Sequence, residues 1–360
     1  MTATPYQTLV ESAAQLTDVD SLVDIDEGQV AAALILVQRN QPALESARRV
    51  LGPKCGVTVR YEEAFFSEQC DSISHLRNLA RVFHAEAYLA TFRADFLTAT
   101  RISLDILELA NAVRRGGLLI DLLASIGISG IALGALCKIR TQLDNRTRRL
   151  VIDELYRLET QREPFAASIA RDRDWEVAVG YKDKPCKVIV PHELSDPKEC
   201  GLSGVEQMEI LQLVQQVANL PEADRHKVQW DSDCHVLALM RLLSVDLALR
   251  AYRENCGRFP DELLSLTPHA VSRIPTDPYT NRPFIYRQLG VDSFCLYSTG
   301  PKRTDGGGHF GPWPSVAAGC ADLCLDADDY WQDYFGQRPP LGWAQRFASW
   351  LPGLRHACRM

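Results

Sequence analysis

The chain lacks most of the signatures that would assign it a reaction. It has no G-x-x-x-x-G-K-[ST] phosphate loop, so P-loop nucleotide chemistry has no motif to rest on. It has no G-x-S-x-G elbow and no H-E-x-x-H helix, which removes the usual hydrolase and zinc-protease patterns. Eleven cysteines are scattered with no Cys-x-x-Cys pair, which argues against a zinc ribbon and a disulfide framework. They read as small apolar fillers in a reducing compartment. A surplus of basic residues is also missing. The net charge is −7, so no nucleic-acid partner is expected. The first residues carry no basic stretch leading into an apolar run, so no signal peptide is read and a cytoplasmic location is expected. No regular repeat of about 34 residues is present, so no tetratricopeptide array is assigned.

What is present suits an ordinary soluble globular protein: 360 residues, 46% apolar and 24% charged, long enough for more than one domain. The expected fold class is α+β, with a mainly helical N-terminal domain of helical hairpins. The expected divisions are a helical domain over 1–165, a mixed connecting region over 166–232, a small α+β domain over 233–330 and an aromatic, basic tail over 331–360.

In the helical part, residues 29–38 and 42–51 read as two helical pieces, with Asn40 as a cap, Pro42 in a first turn and Gly52 past the end. Residues 53–61 read as a short strand or a loop. Ile73, Leu76, Leu79, Ala80, Phe83, Ala87 and Leu89 keep helical spacing, and so do Phe96, Ala99, Ile102, Ile106, Leu107, Leu109 and Ala110. Leu150, Val151, Leu155 and Leu158 mark a further helix over 145–158. Breaks at 92–95, 115–117 and 142–144 predict antiparallel neighbours. Residues 116–137 are long enough to cross a bilayer, which takes about 20 apolar residues. Asp121 lies inside that run and would cost roughly 3 kcal/mol near a bilayer centre, so a buried helix is expected.

Further along, Trp175-Glu176-Val177-Ala178-Val179-Gly180-Tyr181 and residues 186–190 have strand composition, separated by a turn at 182–185. Ser203-Gly204-Val205-Glu206 reads as a capping box opening a helix. Residues 221–232 read as a polar linker, and a long helix is expected from Ser232 to a left-handed cap at Gly257. Its apolar residues surround it, so it should be packed on more than one side.

The stretch after that helix carries a resemblance. Asn255-Cys256-Gly257-Arg258-Phe259-Pro260 matches a helix-ending N-G-R-Y/F-P step. Pro275-Thr276-Asp277-Pro278-Tyr279-Thr280-Asn281-Arg282-Pro283-Phe284-Ile285-Tyr286 matches a Pro-rich hairpin entry, and residues 294–301 match an F-x-L-x-S-x-G-P loop. In this order the three motifs resemble the globular part of the type II secretion major pseudopilin, over about residues 235–326. The resemblance implies one long helix and a short antiparallel hairpin, with strands 284–286 and 294–297 joined across 289–293 and Gly290 allowing the turn. It also implies calcium in the loop after the second strand. Asp305 remains there and Asp322 would approach if 321–326 returns as a strand, but Lys302 stands where the family has Asp. The family's leader and membrane helix are absent before this region, so a fibre-forming subunit is not expected. The helical front half resembles uncharacterised bacterial proteins with a similar end.

Other groups carry less. Asp231, Asp233, Cys234 and His235 form a polar cluster that reads as a helix N-cap rather than a metal site. Cys320 and Cys324 have no second pair to complete a zinc site. Gly306-Gly307-Gly308-His309 reads as a flexible loop, since no helix follows to make an anion site. Glu62-Glu63 and Asp328-Asp329 read as solvated faces. From Tyr334 onward there is no acidic residue. Trp343, Phe347, Trp350 and Leu351 at helical spacing with Arg338, Arg346, Arg355 and Arg359 suggest a segment over 334–360 that docks on its own protein, or alternatively on a membrane surface. The expected function is a non-enzymatic bacterial scaffold or protein-interaction protein. The alternatives are a secretion-associated calcium-binding component, or an enzyme with a site near His192, His226, His235 or Asp231.

Overall fold

The computed structural model describes residues 3–19, 29–180, 221–268, 271, 273–311 and 321–326. The fold is α+β and mainly helical, with one two-stranded antiparallel sheet among the described residues. The chain forms two compact units, Met1–Lys184 and Pro185–Met360.

Among the described residues the first unit has seven helices: α1 (Pro5–Ala14), α2 (Val30–Val50), α3 (Glu63–Phe92), α4 (Phe96–Arg114), α5 (Leu119–Ile139), α6 (Asn145–Thr160) and α7 (Phe165–Ala178). Local signals set several of their starts. Thr4 and Gln7 form a reciprocal capping box ahead of α1. Asp95 and Asp144 each accept the backbone N–H three residues on, at 3.1 and 2.7 Å, opening α4 and α6. The helical spacing of Ile73 through Leu89 becomes the buried face of α3. Likewise Ala99, Ile102, Ile106, Leu107, Leu109 and Ala110 bury α4. α4 packs on α3, α5 and α6, α2 packs on α1 and α3, and α7 packs on α5.

Two expectations for this unit need correction, and for residues 53–61, read as a strand or a loop, the loop is what forms. Residues 29–51 form one helix, not two. Pro42 sits on the exposed side inside α2, and Asn40 is not a cap. Its buried amide donates to Leu36 O (2.9 Å) and Thr17 O (3.0 Å) and accepts from Thr17 N (2.9 Å), fastening the segment after α1 to α2. Residues 53–61 join no sheet. Val57 N donates to Arg115 O at 2.8 Å, and the Arg115 guanidinium donates to Gly52 O (3.1 Å) and Cys55 O (2.5 Å). That close approach needs Gly116, whose φ is +71° and whose added Cβ would run into Val57 O. Finally, Trp175 to Ala178 is the last turn of α7 and not a strand. Trp175 is buried, donates from Nε1 to Arg60 O at 3.1 Å and lies 5.7 Å from the Phe66 ring. Those tertiary contacts outweigh a β-rich local composition. Residues 186–190 and the capping box at 203–206 lie outside the described residues.

In the second unit, α8 (Glu222–Cys256) is longer than expected. Residues 222–231 are its polar first turns, where Lys227 and Asp231 pair at 2.8 Å across one turn. Pro221 precedes α8, and Gly257 closes it at φ +75°, with its N–H on Arg253 O at 2.7 Å. From Asp231 to Leu249, α8 is buried on more than one face. A 3-10 turn (Leu263–Leu266) follows. Strands β1 (Ile285–Gln288) and β2 (Phe294–Tyr297) then pair in the register Ile285 opposite Tyr297. The Phe-Pro step is tied to the hairpin: Tyr286 Oη donates to Pro260 O (2.6 Å), Gln288 Nε2 to Phe259 O (3.0 Å), and the Phe259 and Phe294 rings meet edge-on at 4.6 Å. Gly290 does not adopt a left-handed conformation. The turn closes through Leu289 and Gly290 N–H groups on Ser293 O. Residues 321–324 do return beside β2, through a bridge of Ser298 with Leu323.

Candidate functional site

The place the sequence marks is the Gly-rich loop after β2. A short 3-10 turn (Gly300–Lys302) ends at Arg303 in a left-handed conformation, and the chain then passes through Asp305 and Gly306 to Gly308. Asp322 approaches from the returning segment, where its N–H binds His309 O at 2.7 Å. Its carboxylate is completely buried. Oδ1 accepts from Gly306 N (3.2 Å) and lies 2.8 Å from Lys302 Nζ, and Oδ2 accepts from Gly308 N (2.9 Å). Asp305 is more open. It accepts from Tyr297 Oη (2.7 Å), Gly307 N (2.8 Å) and Arg287 Nη2 (3.2 Å). The Tyr297 hydroxyl, the Gly307 N–H and then the Arg287 and Lys302 cations hold its acidity above that of an ordinary aspartate, so its pKa is lowered.

Both sequence-marked carboxylates therefore meet at this loop, Asp305 within it and Asp322 from the returning segment. The expectation of a merely flexible Gly-rich loop is corrected: its N–H groups cradle carboxylates of the same chain. The residues do not fit calcium, which takes 6–8 oxygens in this kind of loop. Among the described residues no group of three or more His, Cys, Asp or Glu side chains is placed to hold a metal ion. The direction of the donors agrees: backbone N–H groups and an ammonium point at the Asp322 oxygens, where a metal ion would need them free.

A second group escaped sequence reading. Asp277, in the Pro-rich entry, is buried and accepts from Tyr279 N (3.0 Å), Ser298 Oγ (2.8 Å) and Thr299 N (3.3 Å). Its own N–H binds Arg282 O at 2.7 Å. Burial raises its pKa and these donors oppose the rise. Asp277 is a staple between the loop and the end of β2. Tyr279 beside it donates to Asp231 O on α8 at 2.8 Å.

The cluster Asp231, Asp233, Cys234 and His235 is not an N-cap, because it lies well inside α8. Asp231 faces Lys227, and burial drives the His235 pKa down to about 3, so the ring is neutral near pH 7. Of the residues considered for an enzyme site, His192 lies outside the described residues, as do Cys320, Asp328-Asp329 and the 334–360 segment. His226 is partly exposed, 4.0 Å from Glu222.

The first unit holds a buried polar cluster at the start of α5. Asp121 is fully buried, accepts Leu118 N at 2.7 Å and receives a hydrogen bond from Gln69, whose amide also donates to Tyr6 Oη at 2.9 Å. Asp172 accepts Leu119 N at 3.1 Å. Nearby, Arg171 pairs with Glu163 at 2.5 Å. Burial raises Asp121 to about 7 and Asp172 to about 6. Both carboxylates serve the unsatisfied N–H groups of the α5 start. The sequence signal was Asp121 alone in an apolar run, which reads equally as a membrane-crossing penalty.

The opposite side of α5 has its own character. Among the described residues it is the one helix long and apolar enough to cross a membrane, with a mean hydropathy of 2.0, and half of that window is buried. Leu123, Ala124, Ile131, Gly134 and Ala135 are only partly covered and Gly127 is exposed. A Cβ added at Gly127 or Gly134 would meet nothing within 4 Å.

No known protein family, no curated protein and no solved structure matches this chain.

Proposed function

We propose that this chain is a non-enzymatic bacterial scaffold, a cytoplasmic protein-interaction protein in which a helical unit and a pseudopilin-like α+β unit are joined in one polypeptide. The observation that carries the reading is the half-covered face of α5. From Leu122 to Cys137 this helix has no charged side chain. Partly covered apolar side chains gathered on one helix face, with an exposed glycine among them, suit contact with another protein. The small residues Gly127, Gly130 and Gly134 lie on that face and allow close approach of another element. The carboxylates of the Gly-rich loop, Asp305 and Asp322, are engaged by donors of the same chain, which suits a rigid head better than a reacting site.

The reading predicts where a partner is met. A photo-crosslinking residue is placed at Leu123 or Ile131 on α5, and at Arg149 on the exposed side of α6 as the control, in the cells that make the protein. Protein adducts are expected from the two α5 positions and not from position 149. Equal labelling at all three, or none at α5, would remove the α5 face as the contact surface. Gly127→Arg should suppress the adducts at Leu123 and Ile131 without unfolding the chain, because its side chain enters open space.

A further inference from the structure

Among the described residues of the second unit, the Lys302–Asp322 pair is built differently from a surface ion pair. Asp322 has no exposed side-chain surface, and Lys302 keeps 14%. A carboxylate taken out of water needs a compensating charge and donors for its lone pairs. Here three donors converge on it: Gly306 N, Gly308 N and the Lys302 ammonium. The loop has made room for the ammonium. A Cβ at Gly306 would collide with Lys302 Nζ and lie 2.8 and 3.0 Å from the two Asp322 oxygens. The lysine stem is also positioned from behind, because Lys302 directly follows Pro301 in a 3-10 turn that stops at the left-handed Arg303. The aromatic pair Tyr297 and Phe310, 5.4 Å apart and edge-on, lies against Gly308 on the same side of the loop. The neighbouring carboxylate, Asp305, has a separate cation in Arg287 at 3.2 Å.

We propose that the Lys302 ammonium is the resident cation of this loop: a covalently attached charge that organises Gly306, Gly308 and Asp322 and makes the second unit independent of divalent metal. Two side-chain cations, each on its own carboxylate, supply what a single metal ion would otherwise supply to both. The consequence is functional. Such a loop keeps its shape whatever the calcium level around it, as a protein working where free calcium is scarce requires.

The test follows the loop amides in the full-length protein. Hydrogen exchange at Gly306 and Gly308 is measured in wild type, Lys302→Met and Lys302→Arg, with millimolar calcium and with chelator. Expected in wild type is slow exchange that is the same in calcium and in chelator. Lys302→Met keeps the stem and removes the charge. It should speed exchange at both glycines by at least about tenfold while amides in the middle of α8 stay protected. Lys302→Arg, with the charge retained, should lie closer to wild type than Lys302→Met does. Slower exchange or a higher melting temperature of wild type in calcium would overturn the proposal, as would unchanged glycine exchange in Lys302→Met. Should Lys302→Met fail to fold, the calcium comparison on wild type and the Lys302→Arg protein still decides it.

Discussion

Asp121 is an aspartate placed where water cannot reach it, and its charge is offset by donors from Gln69 and Leu118 and by the Arg171 cation. Its folded pKa, raised to about 7 from 3.8, means that the native first unit binds a proton that the unfolded chain releases. The sign follows from linkage. The stabilising contribution is complete below about pH 4 and is lost as pH climbs through about 7. Denaturant unfolding should therefore show this unit weakening between about pH 4 and pH 7. In Asp121→Asn the carboxamide is isosteric, and a flip of the Gln69 amide restores complementary contacts, with Tyr6 then donating to the Gln69 oxygen. That variant should gain roughly 2–4 kcal/mol over wild type at pH 8 and close to nothing at pH 4. Asp172, raised to about 6 by burial and by nearby Glu176, leaves a smaller slope behind. A variant less stable than wild type at pH 8 would show that the ionised carboxylate is needed as an acceptor.

At the scale of elements, α2 poses a question about proline. Pro42 lies inside a 21-residue helix, on its exposed side, and leaves Gln38 O without its N–H partner. The helix continues through it because Ala33, Leu36, Val37, Ala43, Leu44 and Ala47 bury a single face across the break. Pro42→Ala should restore the missing bond and raise the thermal midpoint, by about 1–3 kcal/mol in unfolding free energy. A lower midpoint would mean that the proline geometry is needed where Asn40 reaches Thr17. The same helix explains what was legible in the sequence. Spacing revealed α3, α4 and α6, because their buried faces are long and regular. It failed at α2, at Trp175 and at residues 222–231 for one reason: local punctuation and composition were outweighed by contacts distant in sequence. A proline that marks an end in isolation becomes tolerable when both sides of it pack. Trp175 became helical where its indole met Arg60 O. The hairpin and the left-handed Gly257 were legible because turn chemistry is local. Asp322 was legible only as a conditional carboxylate, since its cation sits twenty residues away in sequence and its amide cradle forms only when the chain returns.

For the whole molecule, the decisive question is whether the partly covered face of α5 is part of the chain's own core. If it is not, small residues there serve no internal packing, and enlarging them has only a local effect. Glycine inside a helix costs about 1 kcal/mol relative to alanine when nothing crowds the new methyl group. Both Gly127 and Gly134 have that open space, whereas a methyl group at Gly117 would strike the Asp121 side chain. Gly127→Ala and Gly134→Ala should each raise the unfolding free energy of the isolated protein by about 0.5–1 kcal/mol, nearly additively because the sites are two turns apart. Gly117→Ala should lower it. The same two α5 changes should weaken partner contact, since close helix approach across this face depends on the missing side chains. Stability that rises while adduct formation at Leu123 falls separates an external surface from a core. If instead Gly127→Ala and Gly134→Ala both destabilise the isolated protein, the face is internal and the interaction reading loses the observation it rests on.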